Sequence, residues 1–232
     1  MVMSHQKPRK RLTGTAKSSR DRLIEAGERL FAEYGCASVG IRTIAAEAGV
    51  SLAALNYHFG DKEHLLAEIF AARAAPIAAE RIKVLREIEA SGDVTLERVI
   101  EAFLRPAMTM DAGQFGGRTF TKLRARMHTE MEDYSREILA AAFDESSRLY
   151  LKALKNLLPN LPDVDLYWRF HFMLGTMVYT MANTGRIQSL TGGKCDPDDV
   201  GLALKHCVPF LAAGFRSLPL SKGSRRSRSK DP

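Results

Sequence analysis

Apolar residues recur along this chain with a period of three to four rather than two. Leu23, Ile24, Gly27, Leu30, Phe31 and Tyr34 follow the spacing that stacks side chains on one face of a helix. Ser18 or Ser19 can cap its start, and Gly35 stops it. A short helix is predicted from Ile41 to Ala48, ended by Gly49, and a third from a Ser51 cap through Phe59. Gly60 and Asp61 form the next break, with Asp61 capping a longer helix that Pro76 is expected to end or kink near Ala75. Thr95 caps a helix to about Met110, and Gly113, Gly116 and Gly117 mark a loop. Further helices are predicted over 117–129, 132–158, 163–190 and 197–218. No stretch alternates apolar and polar residues as a half-buried strand does, so the fold class is all-α.

Residues 41–62, IRTIAAEAGVSLAALNYHFGDK, change the picture from helices to a function. Ile41, Ile44, Ala45 and Ala48 give a two-turn helix an apolar face. Gly49 permits a sharp turn, Val50 can plug the angle, and Leu55 and Phe59 bury the next helix. Two short helices at a steep angle across a glycine turn are the logic of a helix-turn-helix, which frees the second helix to enter the major groove of DNA. Asn56 can bond a base edge or a phosphate. Tyr57 and His58 can donate to phosphate oxygens, or instead pack the domain. Lys62 adds a point charge at a helix start, and Arg42, assisted by Thr43, can reach the backbone. With Ser51, these are the candidate DNA-binding residues.

Charge supports that assignment by its location. The net charge is +7, but residues 1–22 hold +6 and residues 221–232 hold +4, leaving −3 for everything between. Both tails are too polar to pack and read as disordered, with contact to phosphate an open alternative to mere solubilisation. Cys36, Cys195 and Cys207 have no CxxC pairing, which fits a reducing compartment and neither a disulfide framework nor zinc. No apolar run reaches the roughly 20 residues of a membrane span, and the N-terminus lacks a secretory apolar stretch, so a cytoplasmic location is expected. No nucleophile elbow, phosphate loop or His-Glu metal motif is present; the expectation is a non-enzyme without cofactor or metal.

The stretch 18–70 resembles the DNA-binding domain of the TetR family. The matching segments are LFAEYG, IRTIAAEAGVS and NYHFGDKEHLL, with Asn56 where that family commonly has Tyr and Gly40 where it commonly has a Thr or Ser cap. The resemblance implies an N-terminal three-helix helix-turn-helix domain (18–65) and a C-terminal helical ligand-binding and dimerisation domain (66–218), flanked by basic tails at 1–17 and 219–232. It implies a regulator, read as a repressor, that binds a palindromic double-stranded operator as a homodimer and is released by a small apolar effector. The segments SLAALNYHFGDK, LYWRFHFMLG and VPFLAAGFR resemble the fatty-acid-responsive PsrA-like subgroup, which points to a long-chain fatty acid or acyl-CoA. An unrelated hydrophobic or aromatic compound is the alternative.

Abundant apolar residues in the second domain are mostly core, but a subset can line a cavity. The candidates are Phe103, Phe120, Leu123, Arg124, Met127, Phe143, Trp168 and Phe172. Arg124, Arg126, His128 and Arg169 are the candidate partners for a polar head. Leu166–Met181 is apolar nearly all round, as befits a helix shared between its own domain and a partner chain. Phe210, Leu211 and Gly214 are the candidate interface residues on the last helix. A helical enzyme, a DNA-architectural protein without effector and a lipid-surface protein using its basic tails are the competing classes.

Overall fold

A computed structural model of the chain describes residues 17–109, 117–128 and 133–220, apart from the side chain of Arg118. The tails at 1–16 and 221–232, with Gly113 and Gly116 of the expected loop, lie outside the described residues. Within them all regular structure is helical.

Helix α1 (Ser19–Tyr34) begins in a capping box. The Ser18 hydroxyl accepts from the amide of Asp21 at 3.1 Å, and the Asp21 carboxylate accepts from the amide of Ser18 at 3.3 Å. Gly35 ends it at φ 83°. Helices α2 (Ile41–Glu47) and α3 (Leu52–Phe59) follow, joined at Gly49, whose φ of 63° suits a residue without Cβ. Val50 packs half-buried in the angle between them. The start of α2 has no side-chain cap, because Gly40 stands there. α1 crosses closely over α4 at Gly27, where a Cβ would meet Leu65 Cδ2 at 3.1 Å and Ile69 Cδ1 at 3.2 Å.

Helix α4 (Lys62–Ser91) corrects one expectation: it does not end at Pro76 but continues through it. Residues 65 and 66, where the two domains were expected to meet, lie within it. An interior proline costs about 3 kcal/mol. Against that, α4 buries Leu65, Leu66, Ile69, Phe70, Ala74, Ile77, Leu85 and Ile88, each apolar side chain gaining on the order of 1–3 kcal/mol. Burial wins.

Helices α5 (Leu96–Met108), α6 (Gly117–Met127), α7 (Asp133–Leu157), α8 (Asp163–Ala182), α9 (Arg186–Thr191) and α10 (Val200–Arg216) complete the second half. α4 packs against α5 and α7, α5 against α10, and α6 against both α1 and α8. Phe103 of α5 lies at its centre, its ring edge-on to Tyr150 and Phe170 at centroid distances of 5.1 and 5.2 Å. The helix expected over 163–190 is two. Asn183 (φ 25°) and Gly185 (φ 74°) break it, and the Asn183 side-chain oxygen accepts from the Gly185 amide at 3.2 Å. α10 starts at 200 rather than 197, where Asp199 Oδ1 caps the Leu202 amide at 2.9 Å.

Candidate nucleic-acid interface and effector cavity

Helix α3 is held from behind. Leu55 is fully buried and Phe59 nearly so, with the Arg20 guanidinium 5.6 Å from the Phe59 ring centre. That anchorage leaves Asn56, Tyr57 and His58 facing outward, with Tyr57 86% exposed. The Tyr57 and His58 rings meet edge-on at 5.3 Å, so the two polar tips are presented as a unit. An aromatic so exposed is not packing the domain, which leaves its hydroxyl for an outside partner. Arg42 and Thr43 are exposed on the first turn of α2. Ser51 is exposed, and its hydroxyl accepts from the Ala54 amide at 3.2 Å, which makes it a cap first; its O–H stays available to donate.

Lys62 sits differently from the point charge expected of it. It is half-buried and donates to the Cys36 carbonyl at 2.9 Å, tying the start of α4 to the loop after α1. One donor is therefore engaged inside the chain. The frame has other ties. Arg29 and Glu47 form an ion pair between α1 and α2. Glu28 of α1 is buried and paired with Arg73 of α4 at 2.9 Å. Burial raises the Glu28 carboxyl above its ordinary range despite the attraction of Arg73.

The two halves also meet through α6. Arg126 donates to the carbonyls of Ala32 and Glu33 at the end of α1, both at 2.9 Å. Next to it, Met127 brings its sulfur to 3.8 Å from the Cys36 thiol. Arg126 is thus a tether between helices, and it also lines a groove between α6 and α8.

Behind α6 lies a half-open cavity of about 250 Å³, walled by Arg81, Arg124, His128, Leu139, Phe143, Leu174 and Met177, with Arg136, Ala140, Asp144 and Ser147 also on its lining. Arg81 and Arg124 are each 2% exposed. His128 has much of its surface exposed, yet its ring is crowded at the cavity mouth. That crowding, then Arg124 and Arg81, pushes its pKa down to about 4. A groove of about 620 Å³ between α6 and α8 shares His128 and Leu174 with the cavity.

Of the eight residues expected to line an effector site, Arg124 and Phe143 reach this cavity. Phe103, Phe120, Leu123 and Met127 are buried in the surrounding core. Trp168 and Phe172 project from the outer face of α8, where they line a groove of about 790 Å³ with Phe210, Leu211 and Gly214 of α10. Phe210 is 71% exposed, whereas Leu211 is mostly buried within its own chain. Arg169 is occupied with the carbonyls of Phe215 and Leu218 at 2.6 and 3.2 Å. Sequence reasoning missed Arg81. The signal was present: a lone cation on the apolar stripe Ile77, Leu85, Ile88 of α4.

Among the described residues no helix is long and apolar enough to cross a membrane, and no three His, Cys, Asp or Glu gather as a metal site.

Residues 23–69 match the family of bacterial regulatory proteins, tetR family, and residues 101–214 match the tetracyclin repressor-like C-terminal domain. Both describe regulators, not enzymes, and together they take in more than two thirds of the chain. The HTH-type transcriptional repressor AcnR of Corynebacterium glutamicum is 38% identical over 74 residues, 30% of this chain and 39% of that protein. The match thus spans about two fifths of that relative's length. Two solved structures share the fold over nearly the whole chain. PfmR, a TetR family transcriptional regulator from Thermus thermophilus, has a TM-score of 0.57 at 20% identity, covering 88% of this chain and 98% of its own. NalD of Pseudomonas aeruginosa has a TM-score of 0.59 at 18% identity, covering 84% and 94%.

Proposed function

Since the chain belongs to the TetR family, we propose that it is a DNA-binding transcriptional repressor whose hold on its operator is relieved by a small amphipathic effector, a long-chain fatty acid or its acyl-CoA thioester. The observation that carries the DNA reading is the exposed row Asn56, Tyr57 and His58 on a helix anchored by Leu55 and Phe59. Arg42 and Thr43 flank that row as phosphate contacts, and Lys62 contributes charge with the donors that Cys36 does not take.

One recognition helix reads one half-site, so the operator is a palindrome and the working form a two-fold dimer, its α3 helices about 34 Å apart or a multiple of that. The exposed aromatics of α8 and α10, Trp168, Phe172, Tyr179 and Phe210, supply a surface of the right character for that dimer. A charge at Phe210 is expected to yield monomers by light scattering; an unchanged dimer places the interface elsewhere.

The effector reading rests on a cavity and groove that are largely apolar, and on three segments similar to a fatty-acid-responsive subgroup. An acyl chain gains about 0.8 kcal/mol per buried CH₂. α6 joins the two functions, because it faces the cavity with Arg124 and grips α1 with Arg126. An effector that favours one placement of α6 by about 1–3 kcal/mol shifts operator affinity by about 5–150-fold. The test is footprinting on the DNA beside its own gene, with and without fatty acids and acyl-CoAs of increasing length. A protected palindrome that is released by long chains is expected. Failure to protect any site overturns the DNA reading; protection that no acyl compound relieves overturns the effector reading alone.

A further inference from the structure

Arg81 and Arg124 place two positive charges at the centre of the second domain. Burial, and for Arg81 also the charge of Arg124, pushes their pKa values down to about 9 and about 10, so both remain protonated at neutral pH. Among the described residues neither forms an ion pair with a carboxylate. Arg81 Nε donates to the Phe103 carbonyl at 2.8 Å, and an Arg124 nitrogen donates to the Ala107 carbonyl at 3.3 Å. Their remaining contacts are weak acceptors or rings. Arg81 touches the Met177 sulfur and lies 3.7 Å from the centre of the Phe103 ring, and Arg124 touches the Met181 sulfur. Phe143 sits between them, 5.7 Å from one guanidinium and 5.8 Å from the other. Neutral carbonyls, thioethers and rings soften a buried charge but do not neutralise it.

Among the described residues the cavity wall does not supply the missing anion. Asp144, the acid on its lining, is paired with Arg148 at 2.7 Å, and Arg136 at the rim adds a third cation, itself paired with Asp133. A buried charge without a counter-ion is costly, and two side by side are more so. The arrangement is explained if an anion completes the site.

We infer that this cavity holds the carboxylate of an amphipathic acid between Arg81 and Arg124, with its chain leading out past His128 and Leu174 into the groove between α6 and α8. The inference rests on the effector reading above and narrows it to the free acid. A carboxylate matches the planar fork of a guanidinium and accepts from two of them at once. A thioester carries no charge at that position. The nucleotide end of an acyl-CoA, with its phosphates, is far larger than a cavity of about 250 Å³. The groove beyond is walled by Ala125, Leu174, Val178 and Ala182, which suits a hydrocarbon chain. Neutral His128 at the mouth can donate one further hydrogen bond without competing for the charge.

The test uses the full-length protein and four ligands of one long chain length: myristate, methyl myristate, 1-tetradecanol and myristoyl-CoA. Binding is read by calorimetry and by the rise in melting temperature. Myristate is expected to bind more tightly than the ester, the alcohol and the thioester by about ten-fold or more, the yield of one charge-assisted contact. Arg124→Met is expected to bring the acid-to-alcohol ratio to near one. Should Arg124→Met not fold, the four-ligand series on the unmodified protein decides alone. Equal binding of acid and alcohol, or tighter binding of the thioester, overturns the arginine assignment and leaves an apolar effector standing. No binding by any of the four overturns the effector reading and this inference with it.

Discussion

Each half of the molecule buries charge, and each handles it differently. At the α1–α4 contact, Glu28 is buried but meets Arg73 of the same chain at 2.9 Å. Around the cavity, Arg81 and Arg124 are buried with only carbonyls, sulfurs and rings for company. The first arrangement carries its own counter-ion: Glu28 Oε2 always has Arg73, although Oε1 is buried without a hydrogen-bond partner, and the pair ties α1 of the DNA-reading half to α4. The second is open, and its energy falls only when something else arrives. A reader needs the former and a sensor needs the latter. Polar groups near the reader can be satisfied at folding, whereas those of a sensor are left in want so that ligand binding has a driving force.

The sharpest way to break this comparison is to remove a cation from each half. Arg73→Met strands a buried carboxylate, and the expected cost is about 3 kcal/mol, the lower end for a broken buried pair because Arg73 keeps some exposure. Urea denaturation reads it. Arg124→Met removes a charge that has no counter-ion among the described residues, so in the ligand-free protein it is expected to leave stability equal or higher. If both substitutions destabilise alike, the two sites are not different in kind.

The next effect concerns the link between halves. Arg126→Ala removes two hydrogen bonds from α6 to the end of α1. Operator affinity without effector and effector affinity without DNA are expected to change little. The coupling between them is expected to fall from about 1–3 kcal/mol toward zero, read as effector titrations of an operator complex. Full release at the wild-type effector concentration would assign the relay to another contact.

Smaller still, Arg42→Ala is expected to weaken operator and non-specific DNA alike and to lower the slope of log affinity against log salt by about one. A change confined to one base position would instead make Arg42 a base reader. The smallest effect is at Glu28. Its carboxyl titrates above the ordinary range, so the folded chain holds that proton more tightly than the unfolded one. Its contribution to stability is therefore greatest in acid and falls as pH rises through the raised pKa. Glu28→Gln is expected to shift stability at pH 7 by less than about 1 kcal/mol and to flatten the pH dependence near the carboxylate range. Melting curves at several pH values check it.

Where local chemistry decides, the sequence was legible. Ser18 (one of the two candidate caps, with Ser19), Gly35, Gly49, Ser51 and Asp61 mark their boundaries through short-range caps and positive φ, and the structure has them in those roles, while the Asp21 half of the first cap went unread. Pro76 misled because its cost is local while the burial that outweighs it is spread over eight side chains of α4. The break at Asn183 and Gly185 was written in the residues but hidden by the apolar run before it. At the candidate site, the exposure of Asn56, Tyr57 and His58 was readable because an exposed helix end needs no distant partner. Lys62 was only half readable: its placement at a helix start is local, but its bond to Cys36 depends on the loop after α1. Trp168 and Phe172 show the limit most clearly. Hydrophobicity marks a side chain as sticky, and only the packing of α8 on α10 says whether it faces a cavity or the outside.

The unbroken run of α4 through Pro76 has a bearing on engineering. A designer who wishes to exchange the reader for another must cut inside a helix, since no loop separates it from the sensor along that connection. Helical phase then becomes part of the specification. One residue inserted at the joint turns everything before it by about 100° and lifts it by about 1.5 Å. Such a turn would pull α1 off α6 and leave Arg126 reaching for carbonyls that are no longer there. Seven residues restore the phase to within about 20° but lift the reader by about 10.5 Å, so chimeras of this chain should keep the length of α4 unchanged.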